Sequence, residues 1–403
     1  MTSSITQGAW SPGSTPADLA TLQSLDDQFT IDTYARDPMD AVRGAGTRLW
    51  DAAGHEYLDF LAGISVSNVG HCHPHVVQGV QEQAATLLHV SNLVHTEPAL
   101  RLAERLATNS LGDGSKVFFC NSGAEAIEGV LKLARRAKSA GDFVVVKAGF
   151  HGRTFGALSA TPQEAKQAPF APLVPGFVVV EPTADAIAAA VTDRTAAVLI
   201  EPIRGESGVH VVPDEVLVAA REACDRHGAA LIFDEIQTGL GRTGPLWRFE
   251  STPVVPDAMT TAKALGGGFP IGAFIAGPRL ADQLQRGDHG STFAGSPIIA
   301  AAAHATLDIL MDPELHARTA VLGERLRDGV SRLPGVSEVR GAGLMVGFDL
   351  AAGGAPDLAL RAIGEQRLLL NATGPETIRL LPPLVVTEAE IDDAVGRLAA
   401  LLG

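Results

Sequence analysis

The 403-residue sequence contains few cysteines, few aromatic residues and no excess of basic residues. Its three cysteines, Cys72, Cys120 and Cys224, have no paired spacing and leave an odd thiol, which is typical of a reducing compartment. The formal net charge is −15 and no basic stretch compensates it, so we expect no nucleic acid among the partners. Aromatic residues make up only 5 % of the chain, so we expect a core built mainly from Ala, Val, Leu and Ile.

Long apolar runs are also missing. No stretch approaches the length of a membrane span, and the N-terminal residues have neither the basic start nor the apolar core of a signal peptide. These absences predict a soluble, cytoplasmic protein that does not bind membranes. The length allows two domains, or one large domain with an appendage.

From residue 116 the sequence alternates between short apolar runs and amphipathic stretches. The predicted strands are 116–120, 143–147, 177–181, 196–201, 231–233 and 273–276, and the predicted helices are 122–140 and 214–227. This rhythm predicts an α/β fold, with a mostly parallel sheet that helices cover on both faces. After residue 296, the predicted helices are 297–311 and 313–333 and those starting at 357 and 387, with strands within 336–350 and at 377–381. They predict a second, α+β domain.

The N-terminal part divides into an arm and a hairpin. Residues 1 to about 30 are rich in Ser, Thr and Pro and are predicted to form a loose arm. The hairpin strands are predicted at 47–51 and 55–60, and helices at 74–88 and 97–107. We therefore predict an arm and hairpin at 1–60 that belong to the small domain, a large domain at 61–296 that carries the site, and the small α+β domain at 297–403.

Asp234 and Lys263 suggest the chemistry. Asp234 ends the apolar run Leu231–Phe233, and Lys263 stands between small residues and a triple glycine. A carboxylate and an amine at the edges of buried elements suit pyridoxal phosphate: the amine forms a Schiff base with the aldehyde, and the carboxylate keeps the pyridine nitrogen protonated. Alone, such a pair is more often a surface ion pair.

Two other motifs suggest different ligands. Residues 239–244 read G-x-G-x-x-G, as in a dinucleotide-binding loop, but Pro245 and Trp247 follow where a helix should begin. An NAD-dependent dehydrogenase is therefore a weaker alternative. Residues 70–75, GHCHPH, resemble a metal cluster, but their spacing is too tight for zinc and Pro74 indicates a turn into a helix. We predict no metal site.

Several further stretches lie next to predicted strands. Residues 121–125, NSGAE, fit either a helix cap or a phosphate site at a helix N-terminus. Residues 150–154, FHGRT, combine a ring that can stack with an arginine that can bind a carboxylate. Glu201 and Glu206 end another strand, as solvated acids or as ligand-binding groups. Arg379 is a lone charge in an apolar strand and requires a partner, for which Glu206 is a candidate.

Eight motifs follow one another in a recognisable order: GHCHP, NSGAEA, FHGRT, EPIRGE, LIFDEIQTGLGRTG, TTAKALGGGFPIGA, HGSTFAGSP and IRLLPP. From about residue 36 to the C-terminus the sequence resembles the class III aminotransferases, which use pyridoxal phosphate. Within them it is most similar to the branch that acts on N-acetylornithine. The resemblance implies the fold of the type I pyridoxal-phosphate transferases, with a mostly parallel seven-stranded sheet in the large domain.

The resemblance also implies residue roles around the cofactor. Lys263 would carry the Schiff base and then act as base and acid in the proton shift. Asp234 would pair with the pyridine nitrogen, and Gln237 would reach the phenolic oxygen. Phe150 would stack on the ring, with Ile236 behind it.

The cofactor phosphate would be held by Ser122, Gly123 and Ala124, and by Thr292 of a neighbouring subunit. The enzyme would therefore be an obligate homodimer with shared active sites. Ser291 would lie near the substrate.

Three charged residues would bind the substrates. Arg153 would bind the carboxylate far from the reacting amine, and Arg379 the α-carboxylate of glutamate. Glu206 would neutralise Arg379 when an amine without a carboxylate at that place is bound.

The reaction implied is transfer of the terminal amine of N²-acetylornithine, or a close analogue, to 2-oxoglutarate. The products would be a semialdehyde and glutamate, in arginine biosynthesis. Alternatives are another ω-aminotransferase acting on ornithine, 4-aminobutyrate, succinyldiaminopimelate or a precursor in secondary metabolism, and a non-catalytic binding protein on the same fold. The sequence departs from the family pattern at Ser65, Ser67, Val94, His95, Ile127, Ala294 and Ser296.

Overall fold

A computed structural model describes residue 11 and residues 13–403. Its strands are β1 (Ala41–Ala45), β2 (Arg48–Asp51), β3 (Glu56–Asp59), β4 (Lys116–Cys120), β5 (Asp142–Val146), β6 (Phe177–Val180), β7 (Thr195–Ile200), β8 (Ile203–Arg204), β9 (His210–Val211), β10 (Ala230–Asp234), β11 (Ala258–Thr261), β12 (Gly272–Ala276), β13 (Val336–Ala342), β14 (Met345–Leu350), β15 (Leu368–Leu369), β16 (Asn371–Ala372) and β17 (Thr377–Leu380).

The helices alternate with these strands through the middle of the chain. They are α1 (Leu19–Phe29), α2 (Ala62–Ser65), α3 (Pro74–Ala84), α4 (Glu97–Thr108), α5 (Gly123–Ala137), α6 (Phe155–Ser159), α7 (Glu164–Gln167), α8 (Ala184–Ala190), α9 (Asp214–His227), α10 (Pro297–Leu310), α11 (Pro313–Ser331), α12 (Ala355–Gln366) and α13 (Glu388–Leu402). Short 3₁₀ turns lie at Ala168–Phe170, Arg248–Ser251 and Lys263–Gly266. Among the described helices, none is long and apolar enough to cross a membrane.

The largest sheet has seven strands in the order β4-β12-β11-β10-β7-β5-β6. Strand β12 runs antiparallel to both neighbours, and the other pairs are parallel. Along β10, Leu231 and Phe233 enter one hydrophobic cluster and Ala230 and Ile232 enter another. A strand buried on both faces reads as a continuous apolar run, which explains the sequence pattern. The predicted α/β class and seven-stranded, mostly parallel sheet are confirmed.

The parallel strands bring their carboxyl ends to one edge of this sheet. Asn121 follows β4, Phe150 follows β5 by a short loop, and Glu201 follows β7 directly. Asp234 ends β10, and Lys263 lies just beyond β11. Ligands of open α/β sheets bind at this edge, so the topology collects the chemically interesting residues in one place.

Two four-stranded sheets lie outside the large one. The order β13-β14-β17-β16 is antiparallel and holds Arg379. In the order β1-β2-β3-β15, the N-terminal hairpin pairs with a strand from the C-terminal part, Leu368 lying opposite Leu58. Helix α10 packs mainly on α3 and α4. The division at residues 60 and 296 stays a prediction.

Two sequence predictions about local structure need correction. Strand β11 was not predicted, although it is fully buried and lies between β10 and β12. Part of the predicted loose arm is a helix, α1, whose first turn is capped by Asp18 accepting a hydrogen bond from the Thr21 N–H at 2.9 Å. That cap stabilises a helix none of whose residues is buried. Residues 1–10 and 12 of the arm lie outside the described residues.

Candidate active site

A cavity of about 480 Å³ opens at the carboxyl edge of the large sheet. Ten of the predicted site residues line it: Ser122, Gly123, Ala124, Phe150, Arg153, Glu206, Asp234, Ile236, Gln237 and Lys263. Because they come from separate strand ends, the sheet is what brings them together.

Asp234 lies at the inner end of this cavity and is 4 % exposed. Its Oδ1 accepts hydrogen bonds from the Ile236 N–H and the Thr260 hydroxyl, both at 3.1 Å. Its Oδ2 lies 2.7 Å from His151 Nδ1. The carboxylate is therefore held in one orientation, facing the cavity.

His151 and Glu201 surround Asp234 and are both buried. Burial lowers the pKa of His151, but the hydrogen bond to Asp234 and its charge raise it more, so the net shift is upward. Burial raises the pKa of Glu201 to about 7. Its Oε2 accepts a hydrogen bond from the Phe150 N–H at 2.8 Å, which ties the loop after β5 to the end of β7.

Lys263 faces the same cavity from the loop after β11. Its φ of +41° is unusual for a residue with a side chain, and such strained conformations concentrate at functional sites. Burial lowers the pKa of its ammonium group. No acceptor in the described part of the chain hydrogen-bonds its Nζ, so the amine is available to a ligand.

The N-terminus of α5 forms a third wall. Ser122 Oγ caps the helix by accepting the Glu125 N–H at 3.2 Å, and Glu125 accepts the Asn121 N–H at 2.6 Å. The N–H groups of Gly123 and Ala124 find no acceptor among the residues described. Free N–H groups at a helix start bind phosphate, so the cap and the phosphate interpretations of this motif are compatible.

Glycines allow the elements around α5 to approach one another closely. A Cβ on Gly123 would lie 2.9 Å from Ile236 Cδ1, and one on Gly272 would lie 2.3 Å from the Ser122 carbonyl oxygen. Only glycine fits at Gly272 without moving the backbone that leads into α5.

Arg379 and Glu206 form the predicted ion pair, with Arg379 Nη1 donating to Glu206 Oε1 at 2.6 Å. Arg379 also donates to the Gly205 carbonyl at 3.1 Å and to Asn371 Oδ1 at 3.2 Å. Burial raises the pKa of Glu206, but the charges of Arg379 and Lys263 outweigh it and hold that pKa at about 2. Arg379 Nη2 is buried and has no acceptor among the described residues, so the guanidinium is not fully hydrogen-bonded.

An outer cavity of about 640 Å³ shares Phe150, Arg153, Glu206 and Lys263 with the first one. Arg153 is exposed and lies over the Phe150 ring, with its Cζ 5.8 Å from the ring centroid. It therefore presents a cation to the cavity that Glu206 and Lys263 also line.

Ser291 and Thr292 are not brought into the Lys263 cavity. They line a separate hollow of about 610 Å³ with Asn92 and Leu93. Ser291 Oγ accepts a hydrogen bond from Asn121 Nδ2 at 3.0 Å, which places this hollow next to the N-terminus of α5. Within one chain, these two residues are therefore neighbours of the site and not part of its lining.

The remaining sequence candidates have structural roles. His71 contacts Asp59 at 2.6 Å, and His75 contacts Asp308 at 2.8 Å. After the G-x-G-x-x-G segment comes a 3₁₀ turn at Arg248–Ser251 and no helix start suited to a dinucleotide. Arg242 within that segment is fully buried.

Two further residues of the cavity lining are His151, to which the sequence analysis gave no role, and Glu201, whose burial it did not predict. His151 stands inside the FHGRT motif, between two residues that were singled out. Glu201 was considered only as a solvated acid or a general ligand group, yet it is 8 % exposed. Its position directly after the apolar run 196–200 of β7 is the signal that indicates burial.

Comparison with known proteins accounts for this geometry. The sequence model for "Aminotransferase class-III" matches residues 32–402. This chain belongs to the class III aminotransferases. The acetylornithine aminotransferase of Mycobacterium leprae is 46 % identical over 396 residues, covering 96 % of each chain.

Solved structures similar to this chain are also aminotransferases. The ornithine aminotransferase of Toxoplasma gondii has a TM-score of 0.91 at 32 % identity and covers 96 % of this chain and 95 % of its own. The acetylornithine aminotransferase of Elizabethkingia anophelis has a TM-score of 0.86 at 33 % identity, with 96 % and 99 % covered. The predictions of a pyridoxal-phosphate enzyme and of its family are confirmed, and the dehydrogenase and the non-catalytic alternatives are wrong.

The cavity of this aminotransferase fits pyridoxal phosphate. It offers a half-buried amine at Lys263, a carboxylate at Asp234 and free N–H groups at the start of α5. Phe150 and Ile236 supply apolar surface for a flat ring. A metal site or a dinucleotide site would need a different set of donors.

Proposed function

We propose that this aminotransferase moves the terminal amine of N²-acetylornithine to 2-oxoglutarate, giving a semialdehyde and glutamate. One observation carries the proposal: the two arginines near the Lys263 cavity differ in pairing. Arg153 lines the outer cavity without an ion-pair partner in the described part of the chain, whereas Arg379 is paired with Glu206, which lines the same cavity. The Mycobacterium leprae relative bears the name acetylornithine aminotransferase, which supports this donor.

The residues around the cavity are suited to hold pyridoxal phosphate in one orientation. Asp234 would face the ring nitrogen, and Gln237 the phenolic oxygen. Phe150 and Ile236 would enclose the ring. The phosphate would lie at the start of α5, bound by the cap residue and free amides of Ser122, Gly123 and Ala124.

Pyridoxal phosphate supplies an electron-withdrawing ring that makes the C–H bond beside the donor amine acidic. Lys263 Nζ would take the proton from that carbon and, within the same half-reaction, deliver it to the cofactor carbon that carried the aldehyde. With 2-oxoglutarate it would move a proton in the opposite direction. Burial lowers the pKa of Lys263, which favours this role because it increases the share of neutral amine that can accept a proton. His151 would position Asp234 through its 2.7 Å contact and maintain the negative charge of that carboxylate.

The two arginines would sort the substrates. Arg153 would bind the carboxylate of the donor, leaving its terminal amine beside Lys263. Glu206 would neutralise Arg379 during this half-reaction, since an unpaired buried charge would oppose binding of an uncharged group. When glutamate or 2-oxoglutarate enters, Glu206 would move aside and Arg379 would bind its α-carboxylate.

A homodimer would complete the site. Thr292 would reach the cofactor phosphate of the partner, and Ser291 would lie near the substrate. The surface around the hollow lined by Thr292 is apolar: Leu93 is 95 % exposed, Phe293 63 % and Val94 60 %. A second copy that covers this surface would bury these side chains, which supports the proposed assembly. A cytoplasmic role in arginine biosynthesis accords with the three free thiols.

The absorption spectrum of the purified protein, loaded with pyridoxal phosphate, tests the proposal. A visible band that N-acetylornithine bleaches and 2-oxoglutarate restores would establish both half-reactions. A band that persists with N-acetylornithine but bleaches with glutamate would overturn the proposed donor and direct the search to other terminal amines, such as ornithine or 4-aminobutyrate. Absence of any band would contradict the assignment of Lys263.

A further inference from the structure

We propose that Lys166 is a specificity-determining residue that binds, together with Arg153, the carboxylate at the far end of the amine donor. This inference rests on the proposed function. It adds a second cation to the outer cavity, and this cation comes from a segment that none of the eight sequence motifs includes.

Lys166 and Arg153 reach the same place from different parts of the chain. Arg153 follows β5, and Lys166 belongs to the short helix α7. Both cations lie over the Phe150 ring: Arg153 Cζ is 5.8 Å and Lys166 Nζ 5.6 Å from its centroid. Both line the outer cavity, which Lys263 and Glu206 also line. The two positive groups therefore face one volume that opens onto the reacting amine.

The position of Lys166 is set by Gln163. The Gln163 amide nitrogen donates to the carbonyls of Ala148 and Gly149, at 3.4 and 3.0 Å, which leaves its Oε1 turned towards Lys166 Nζ as acceptor. At the other end of α7, Gln167 donates to the Leu158 carbonyl at 2.9 Å. The helix that carries Lys166 is thus attached to the loop before Phe150 and to α6, and the ammonium group is held over the ring.

The positive charges of Lys166 and Arg153 in the outer cavity favour binding of an anion. Within the described part of the chain, no carboxylate lies within ion-pair distance of Lys166 or Arg153. Gln163 Oε1 satisfies only one of the three N–H groups of Lys166. Burial lowers the pKa of Lys166, Arg153 lowers it further, and Glu206 opposes this effect. Two facing cations repel each other, and a carboxylate between them would remove that repulsion.

A carboxylate suits this pair because the groups differ in shape. The planar Arg153 guanidinium can bind both oxygens in a fork, and the Lys166 ammonium adds a point charge. The surrounding lining, Phe150, Phe155 and Phe170, is apolar and matches an aliphatic or acyl chain next to the charge. The outer site would therefore select donors that carry a carboxylate at the end opposite the reacting amine.

Two donors that differ only in that carboxylate test the inference. N-acetylputrescine is N-acetylornithine without its carboxylate, and bleaching of the visible band gives an apparent Kd for each donor in a single half-reaction. For Lys166→Met we expect the Kd of N-acetylornithine to rise by about 3- to 30-fold, as for one half-exposed charged hydrogen bond. The Kd of N-acetylputrescine should stay unchanged, and Lys166→Arg should restore most of the affinity for N-acetylornithine.

Lys147→Met is the matched control, because Lys147 is exposed, pairs with Glu181 and lines neither cavity. It should leave both Kd values unchanged. A Lys166→Met variant that binds both donors as the wild type does, or that weakens both equally, would overturn the role of Lys166. If Lys166→Met does not retain the cofactor, Lys166→Gln carries the same comparison.

If N-acetylornithine is not the amine donor, the wild type will fail to react with it, which distinguishes that outcome from a failure of the Lys166 proposal. The comparison in that case uses glutamate and 2-aminopentanoate, which share the α-carboxylate site and differ at the outer end. A selective loss of glutamate affinity in Lys166→Met would support the second cation, and equal effects on both would contradict it.

Discussion

Arg379 Nη1 and Glu206 Oε1 lie 2.6 Å apart, in an ion pair that joins strand β17 to the loop after β8. The Arg379 side chain is fully buried, whereas the Glu206 side chain is 26 % exposed. The carboxylate is therefore the partner with room to move, because it is partly exposed and the guanidinium is not. While Glu206 stays paired with Arg379, the site suits a substrate that has no carboxylate there. When Glu206 moves away, Arg379 can bind the carboxylate of the other substrate.

Replacement of Glu206 tests this relationship. In Glu206→Ala, Arg379 becomes an unpaired buried cation, which opposes donors that place no carboxylate beside it. We expect the half-reaction with N-acetylornithine to slow by about 10- to 100-fold relative to the half-reaction with glutamate. Stopped-flow absorbance measures both, with Glu181→Ala as the exposed control. An unchanged ratio would contradict the switch.

The buried acid Glu201 makes stability depend on pH. Its pKa is raised from 4.5 to about 7, so the native protein binds more protons than the unfolded chain between these values. Stability from this group is full below pH ~4.5 and is lost as the pH rises towards ~7. Glu201→Gln removes the ionisation and keeps an acceptor for the Phe150 N–H.

We therefore expect Glu201→Gln to be more stable than the wild type by about 1–3 kcal/mol at pH 8, with the difference vanishing near pH 4.5. Denaturant unfolding of the cofactor-free proteins at both pH values measures it. A difference independent of pH would show that Glu201 titrates normally.

Arg242 connects three parts of the molecule from a fully buried position. It donates to Ser65 Oγ at 3.0 Å, to the Leu344 carbonyl at 2.8 Å and to the Pro382 carbonyl at 2.7 Å. Burial lowers its pKa to about 9. Arg242→Met would leave these buried acceptors unpaired, and we expect a loss of about 3–5 kcal/mol in unfolding free energy.

The midpoint of denaturant unfolding checks this loss. Arg325→Met is the comparison, because its ion pair with Asp392 is exposed and should contribute little. Equal midpoints for the two variants would remove the structural role assigned to Arg242.

Gly272 lies against the Ser122 backbone, where we propose that the cofactor phosphate binds. A methyl group there would lie 2.3 Å from the Ser122 carbonyl, so Gly272→Ala must displace the backbone that leads into α5. We expect the affinity for pyridoxal phosphate to fall by at least about 10-fold, as overpacking typically costs 1–3 kcal/mol. Gly364→Ala, in an open position of α12, should leave it unchanged. Titration of the visible band with cofactor distinguishes the two outcomes.

Much of the fold could be predicted because its local signals are strong. The β10 run and the cap of α13, where Thr387 and Glu390 exchange hydrogen bonds, both follow from sequence periodicity. The sequence does not predict strand β11, because Ala258–Thr261 has only four residues and two of them are threonines, so no apolar run is visible. Pairing with β10 and β12 makes this segment a strand. The sequence does not predict helix α1, because its cap, Asp18, lies in a Ser- and Pro-rich segment.

The candidate site divides in the same way. The sequence indicated Asp234 because it ends an apolar run, and Lys263 because it stands between small residues and a triple glycine. It indicated Arg379 because a lone charge in an apolar strand requires a partner. The contact of His151 with Asp234 joins residues 83 positions apart, and no local pattern encodes it. The burial of Glu201 likewise depends on which loops cover the end of β7.

The sequence by itself determined most of the elements, the acid and the amine of the proposed site and, through the order of its motifs, the family. Those features depend on periodicity and on residue identity, which are local. The tertiary structure decided the charge environment: which acids are buried, that Glu206 reaches Arg379, and that Lys166 and Arg153 share one cavity. Protonation and pairing depend on burial and on distance between remote residues, and only packing of the strands and loops sets those quantities.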